Sequence, residues 1–216
     1  MSAKYPRTPH LPFSPGGTRD DRRLSSVNSF INIPLVITEK MDGSNVCLEH
    51  NNLFARSHSK SPNHPSFDAL KAVHAQSKHI IPDNTQIFGE WLYAQHSIFY
   101  NSLPNYLAIF AVFDGSKWAS WEEVELWAKE LNVPTVPLLG IKTFQNEIDL
   151  QKEIETLAQH PSFCGEEMEG VVIRNAFEFV DFETSVAKFV RANHVQTDDH
   201  WTSQTIVKNL LKDPKS

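Results

Sequence analysis

The segment Thr38-Glu39-Lys40-Met41-Asp42-Gly43-Ser44-Asn45 sets a lysine among acids and a glycine turn. A lysine amine attacks an electrophile only when deprotonated, and at a pKa of ~10.4 less than ~0.1% is free amine at neutral pH. A neighbouring cation or metal ion disfavours the ammonium form and turns such a residue into a covalent catalyst. The same segment also fits a solvated turn that leads into a strand. K-x-D-G arises by chance at about one position in 8,000, so alone it does not decide between the two.

Further pieces follow in order: Ala55-Arg56-Ser57, Phe88-Gly89-Glu90-Trp91, Phe110-Ala111-Val112-Phe113-Asp114, Glu169-Gly170-Val171-Val172-Ile173-Arg174 and Ala187-Lys188-Phe189-Val190-Arg191. Each alone has an ordinary explanation: Glu90 and Glu169 as strand-end acids in salt bridges, Arg56 as a surface arginine of a hairpin. The ordered set resembles the covalent nucleotidyltransferase superfamily of polynucleotide ligases and mRNA capping enzymes. Its Glu-Lys-x-Asp-Gly-x-Asn opening looks most like ATP-dependent RNA ligases. The resemblance runs from roughly Ile37 to Arg191.

The resemblance implies an ATP-dependent RNA ligase that joins a 5′-phosphate to a 3′-hydroxyl through lysyl-AMP and an adenylylated 5′-phosphate, as in RNA repair. Lys40 would be the nucleophile. Lys188 would meet the α-phosphate, where a compact ammonium acts as a point charge. Glu90 would hold the ribose or a metal-bound water, Glu169 would orient the hydration shell of Mg2+ or Mn2+, and Asp42 would join it. Mg2+ keeps several waters, so these contacts are expected to be outer-sphere. The metal would offset the charge of the triphosphate and of the departing pyrophosphate. Arg56 would contact the ribose or the 3′-OH side of the junction. Asn45 would serve sealing, and the Glu39 backbone would read the edge of the adenine. Phe113 resembles the aromatic residue that stacks on the base. Phe110, three residues away on one strand, has the opposite parity and is expected to pack in the core.

Departures from the family pattern are also visible. Several relatives carry Lys-x-Lys in the last motif, whereas here Val190 stands two residues after Lys188 and Arg191 three after. That shift turns Arg191 to the other face of a strand, which weakens it as a second phosphate clamp; the resemblance would place it with Asn45 and Arg56 at the RNA end or in the sealing step. The roughly 25 residues after Arg191 fall short of the OB-fold of DNA ligases and capping enzymes. Substrate clamping would then come from the N-terminal arm, from His194 to Trp201, or from an accessory protein. The rival enzyme classes are a capping-type GTP transferase and a DNA nick ligase. A rival outside enzymes is a nucleotide- or RNA-binding module that has lost sealing.

The elements that must carry these residues read as α+β with antiparallel sheets flanked by helices and no C-terminal OB-fold. Residues 1–27, rich in proline, form an arm expected to pack on the domain through Leu11 and Phe13, and 28–216 form the nucleotidyltransferase domain. A hairpin is expected around Asn51-Asn52, strands over Thr85–Leu92 and Tyr106–Asp114, and later strands over Gly170–Arg174 and Phe179–Val190. Phe67, Leu70, Val73 and Ser77 share a helical face that ends before Pro82. Ser120 and Glu123 form a capping box for a helix that stops near Asn132. Further helices are expected from about Glu147 to Gln159 and from Thr202 to Leu211.

Composition narrows the setting. The 216-residue chain is 40% hydrophobic and carries a formal net charge of −6. That charge argues against a protein that coats nucleic acid, and implies weak, salt-sensitive affinity for RNA. The first residues lack the apolar run of a secretory signal, and no stretch approaches a membrane span. Cys47 and Cys164 read as buried free thiols, so a cytoplasmic protein is expected.

Overall fold

The computed structural model describes residues 4–17, 21–56, 61–192 and 206–213. Eight strands form two four-stranded antiparallel sheets. The first sheet has the order β6 (Leu138–Thr143), β1 (Pro34–Glu39), β7 (Gly170–Asn175), β8 (Val186–Val190). The second has the order β3 (Leu53–Ala55), β2 (Ser44–Leu48), β4 (Gln86–Trp91), β5 (Leu107–Phe113). The architecture is α+β, as expected.

Strand alternation sorts the side chains into three layers. On β1 and β7, Leu35, Ile37, Val171 and Ile173 point outward and are sealed by Leu150 and Ile154 of α3 (Glu147–Leu157). On β2 and β4, Val46, Leu48, Ile87 and Trp91 point outward, beneath Leu70 of α1 (Asp68–Ser77) and Trp121, Val124 and Ala128 of α2 (Trp121–Glu130). The inner faces meet in a third cluster holding Cys47, Phe88, Ala111, Trp118, Phe182 and Val186.

Helix starts follow from local chemistry. The Ser120 hydroxyl accepts from the Glu123 N–H while the Glu123 carboxylate accepts from the Ser120 N–H, which completes the capping box at α2. Asn146 caps α3 through the Asp149 N–H at 2.9 Å. After α2 the chain turns through Asn132, which adopts a left-handed φ of 52°.

Three elements differ from the sequence expectation. β6 was not anticipated: it lies between Pro137 and the α3 cap, contains Gly140, and is mostly exposed at the sheet edge, so it lacks a buried alternation. The last strand begins at Val186, not Phe179; residues 180–185 bend instead, and Phe179 makes an isolated bridge to Trp118. Of the expected terminal helix, 202–205 lie outside the described residues. Residues 206–211 are extended, with bridges from Lys208 to Ala94 and from Leu211 to Leu103. The reason is Asn209, which is fully buried. Its amide donates to Leu92 O at 2.9 Å and its carbonyl accepts from Tyr100 N–H at 2.9 Å, bonds that an extended chain can reach.

The arm lies along the free edge of β8. Lys188 N–H donates to Pro9 O (2.9 Å), Leu11 N–H to Lys188 O (2.8 Å) and Gly16 N–H to Val190 O (2.9 Å). This covers an edge strand that would otherwise expose unpaired backbone groups. Leu11 is fully buried, and Phe13 packs on Phe189 with ring centroids 6.1 Å apart.

Candidate active site

The chain crosses from one sheet to the other between β1 and β2, and Lys40 sits on that crossing. Its backbone N–H donates to Gly170 O at 2.9 Å, which holds it against the start of β7. Two glycines make the approach possible. A Cβ at Gly43 would lie 2.7 Å from Trp91 O, and one at Gly170 only 1.9 Å from Phe189 O. These are the glycines that follow Asp42 and Glu169 in the sequence, so the spacing of both motifs has a steric origin.

The Lys40 ammonium donates to Glu169 Oε2 at 2.5 Å. Glu169 is 2% exposed, so it is not a strand-end acid on the surface. Burial disfavours the charged form of Lys40, but the Glu169 carboxylate, with Glu90 and Asp42 further away, holds its pKa above the ordinary lysine value. The protein by itself therefore keeps the lysine protonated. Glu90, on β4, accepts from Gly43 N–H at 3.2 Å. Burial, reinforced by Glu169 and Asp42 against the pull of Lys40, pushes Glu90 up to about 8. Asp42 anchors the crossing: its Oδ2 accepts from Ser97 N–H (2.8 Å), Ser97 Oγ (2.7 Å) and Ile98 N–H (3.0 Å).

Sheet register carries several other expected residues to the same place. Asn45 pairs with Glu90, and Glu90 with Ala108. Arg56 follows Ala55, which pairs with Val46, so it stands at the level of Asn45, exposed, at the end of β3. Across the cleft Lys188 pairs with Val172 on the inner face of the first sheet. Lys188 is 15% exposed, and its ammonium lies 3.6 Å from Asp21 of the arm. Burial lowers its pKa, and Lys40 pushes the same way.

Other expected residues stand apart from Lys40. The Glu39 side chain shares the outer face with Val171 and accepts from Phe163 N–H at 3.1 Å, while its backbone N–H donates to Pro137 O at 2.9 Å. Arg191 lies just past β8; its guanidinium donates to Met168 O at 3.1 Å, on the outer side, as its parity requires. His194 to Trp201 lie outside the described residues. Phe113 packs in the inter-sheet cluster with its ring 5.0 Å from Trp118. Phe110 reaches that cluster too, as well as the core beneath α2. A register shift between Phe88 and Gly89 opposite this part of β5 inserts one residue and cancels the parity argument.

Some contributors carried no motif. Tyr100, fully buried, accepts from Asp42 N–H at 2.8 Å and so ties the crossing to the segment that Asn209 anchors. Arg174, which closes the Glu169 motif, is 5% exposed and braces the second sheet by donating to Phe110 O (3.1 Å) and Ala119 O (2.5 Å). Asp21 and Tyr100 have no sequence signal, because their positions depend on how distant segments dock.

Two facing antiparallel sheets, joined by a crossing that presents a lysine to a carboxylate from the other side, define a nucleotidyltransferase-type fold. Residues 33–190 match the model of the RNA ligase family, and the chain belongs to that family. Among solved structures it is similar to the RNA ligase of Naegleria gruberi. A mutant of that enzyme with ATP and Mn aligns with a TM-score of 0.54 at 16% identity, over 77% of this chain and 52% of that one. The same ligase with pyrophosphate gives 0.53 at 17% identity, over 76% and 51%. Another mutant with ATP and Mn gives 0.54 at 14% identity, over 88% and 61%. This chain thus spans little more than half the length of those structures, and at such identities the likeness is one of fold. No curated protein matches it significantly in sequence. Among the described residues, no helix is long and apolar enough to cross a membrane.

Proposed function

We propose that the protein is an ATP-dependent RNA ligase acting through lysyl-AMP at Lys40. The observation that carries this reading is the Lys40–Glu169 pair at 2.5 Å, set between two sheets where Glu90 and Lys188 also converge. In the first step the Lys40 amine attacks the α-phosphorus, the bond to the bridging oxygen breaks, and pyrophosphate leaves. Glu169 Oε2 stands where the departing Nζ proton must go. The adenylyl group then passes to an RNA 5′-phosphate. Attack by a 3′-hydroxyl, positioned by Asn45 and Arg56, releases AMP. Lys188 meets the α-phosphate, Glu90 the ribose, Phe113 with Phe110 the side of the base, and the Glu39 backbone the base edge.

A divalent cation fits these residues. Asp42, Glu90 and Glu169 all act on one lysine, and burial, with Glu169 and Asp42 adding to it, pushes Glu90 up to about 8. Among the described residues, no three His, Cys, Asp or Glu side chains converge as a direct cage, so Glu90 and Glu169, with Asp42 behind them, would hold Mg2+ or Mn2+ through water. When bound, the cation supplies charge neutralisation at the triphosphate and favours the free amine of Lys40.

The test is transfer of label from α-labelled ATP, in Mg2+, to the denatured polypeptide. Label that depends on Lys40 supports the reading. Absence of label, or its retention by Lys40→Ala, overturns it. Label from GTP alone would move the protein to capping-type chemistry. A chase with 5′-phosphorylated RNA, nicked duplex and nicked DNA then distinguishes an RNA ligase from a DNA nick ligase or from a module that does not seal.

A further inference from the structure

Tyr5 precedes the part of the arm that is bonded to β8. Its ring is enclosed by four others: Phe88 at 5.2 Å and Phe110 at 5.1 Å from one sheet, Trp118 at 5.5 Å from the segment after β5, and Phe182 at 5.1 Å from the segment between β7 and β8. Three of these contacts are edge-on, with interplanar angles of 77°, 86° and 90°, so Tyr5 is a flat ring fitted into an aromatic box. The box belongs to the inter-sheet cluster, which Val172 also borders.

The location of this box matters. Phe88 and Glu90 are alternate residues on one face of β4, about 7 Å apart along the strand. That is about the reach of a base from the ribose that carries it. On the other sheet, facing them, Val172 is the register partner of Lys188 on the neighbouring strand. A nucleotide with its α-phosphate between Lys40 and Lys188 and its ribose at Glu90 therefore sends its base toward Phe88, Phe110 and Val172. The Tyr5 ring is already there.

We propose that Tyr5 is an intramolecular stand-in for the nucleobase: the tip of the N-terminal arm plugs the base compartment and swings out before a nucleotide seats. The inference rests on the nucleotidyltransferase reading above, since it is that reading which sends a base to this box. From Pro9 onward the arm is held by main-chain bonds to β8. The tip, Lys4 to Thr8, can therefore leave while the edge of the sheet stays covered. A plug of this kind competes with every nucleotide alike. It raises the apparent KM and leaves the maximal rate of lysine adenylylation unchanged.

The experiment compares wild type, Tyr5→Phe and Tyr5→Ala for KM and maximal rate of label transfer from α-labelled ATP. Tyr5→Ala is expected to lower KM on the order of tenfold, the worth of one or two aromatic contacts, at an unchanged maximal rate. Tyr5→Phe keeps the ring and is expected to keep the wild-type KM. A second readout uses the full chain with Tyr5 in place. Trypsin cleavage after the exposed Lys4 and Arg7 is followed in Lys40→Ala with and without saturating ATP, relative to cleavage after the exposed Lys129. Nucleotide is expected to speed cleavage of the tip. An unchanged or raised KM in Tyr5→Ala overturns the plug, as does protection of Arg7 by ATP. If Tyr5→Ala does not fold, the trypsin result decides. No label on the wild type overturns the reading of the site and the plug with it, whereas label with an unchanged KM removes the plug alone.

Discussion

Replacing Glu90 with Gln isolates the electrostatics of the site from its chemistry. Glutamine has the shape of the protonated acid, so Glu90→Gln mimics the form that the folded protein prefers. Burial, with Glu169 and Asp42, raises Glu90 from 4.5 to about 8. A raised acid binds its proton more tightly in the folded state. Its contribution is fully present below the unfolded value and is lost as pH rises through the folded one. At ~1.36 kcal/mol per unit, that shift corresponds to a ceiling of about 5 kcal/mol. Glu90 titrates together with Lys40, Glu169 and Asp42, so part of that effect is shared among them, and about 2–3 kcal/mol is the expected loss. Urea unfolding of both proteins from pH 4 to 9, without added metal, measures it. The two should be nearly equal near pH 4.5, and Glu90→Gln should be more stable by about 2–3 kcal/mol at pH 9. A stability difference that stays constant with pH would refute the argument that Glu90 is held protonated.

Other outcomes follow from the same geometry. Because Lys40 is held above the ordinary lysine value, the adenylylation rate should rise with pH through and beyond neutrality. In Glu169→Gln the profile, scaled to its own maximum, should move to lower pH, since the carboxylate that retains the proton is gone; an unmoved profile contradicts that role. Gly170→Ala drives a Cβ to 1.9 Å from Phe189 O and should destabilise the fold by about 3 kcal/mol or more, read by urea unfolding. Asn209→Ala strands Tyr100 N–H and Leu92 O in the interior and should cost about 2–3 kcal/mol, with faster proteolysis of residues 206–213.

Local signals carried much of this protein. The capping box at Ser120, the turn at Asn51-Asn52 and the strand over Thr85–Leu92 each depend on neighbouring residues, and the structure shows them where the sequence placed them. The glycines after Asp42 and Glu169 were legible as motif letters, and steric closeness explains them. What stayed hidden depended on long-range docking. β6 is an exposed edge strand with no apolar rhythm, and residues 206–211 give up a helical pattern for the buried bonds of Asn209. Parity placed Phe110 and Phe113 on opposite faces; a bulge, invisible to a count of residues, brought them together. At the site itself, the resemblance carried by the ordered motifs pointed to Lys40, Glu90, Glu169 and Lys188. Their protonation was not legible, because it depends on a 2.5 Å contact between residues far apart in the chain.

Lys40 as the nucleophile is tested most directly by the mass of the intact denatured protein after incubation with ATP and Mg2+. A gain of one adenylyl group, mapped by peptide fragmentation to Lys40 and reversed by excess pyrophosphate, is the expected result. An unmodified chain, or an adenylyl group on any other residue, would contradict it.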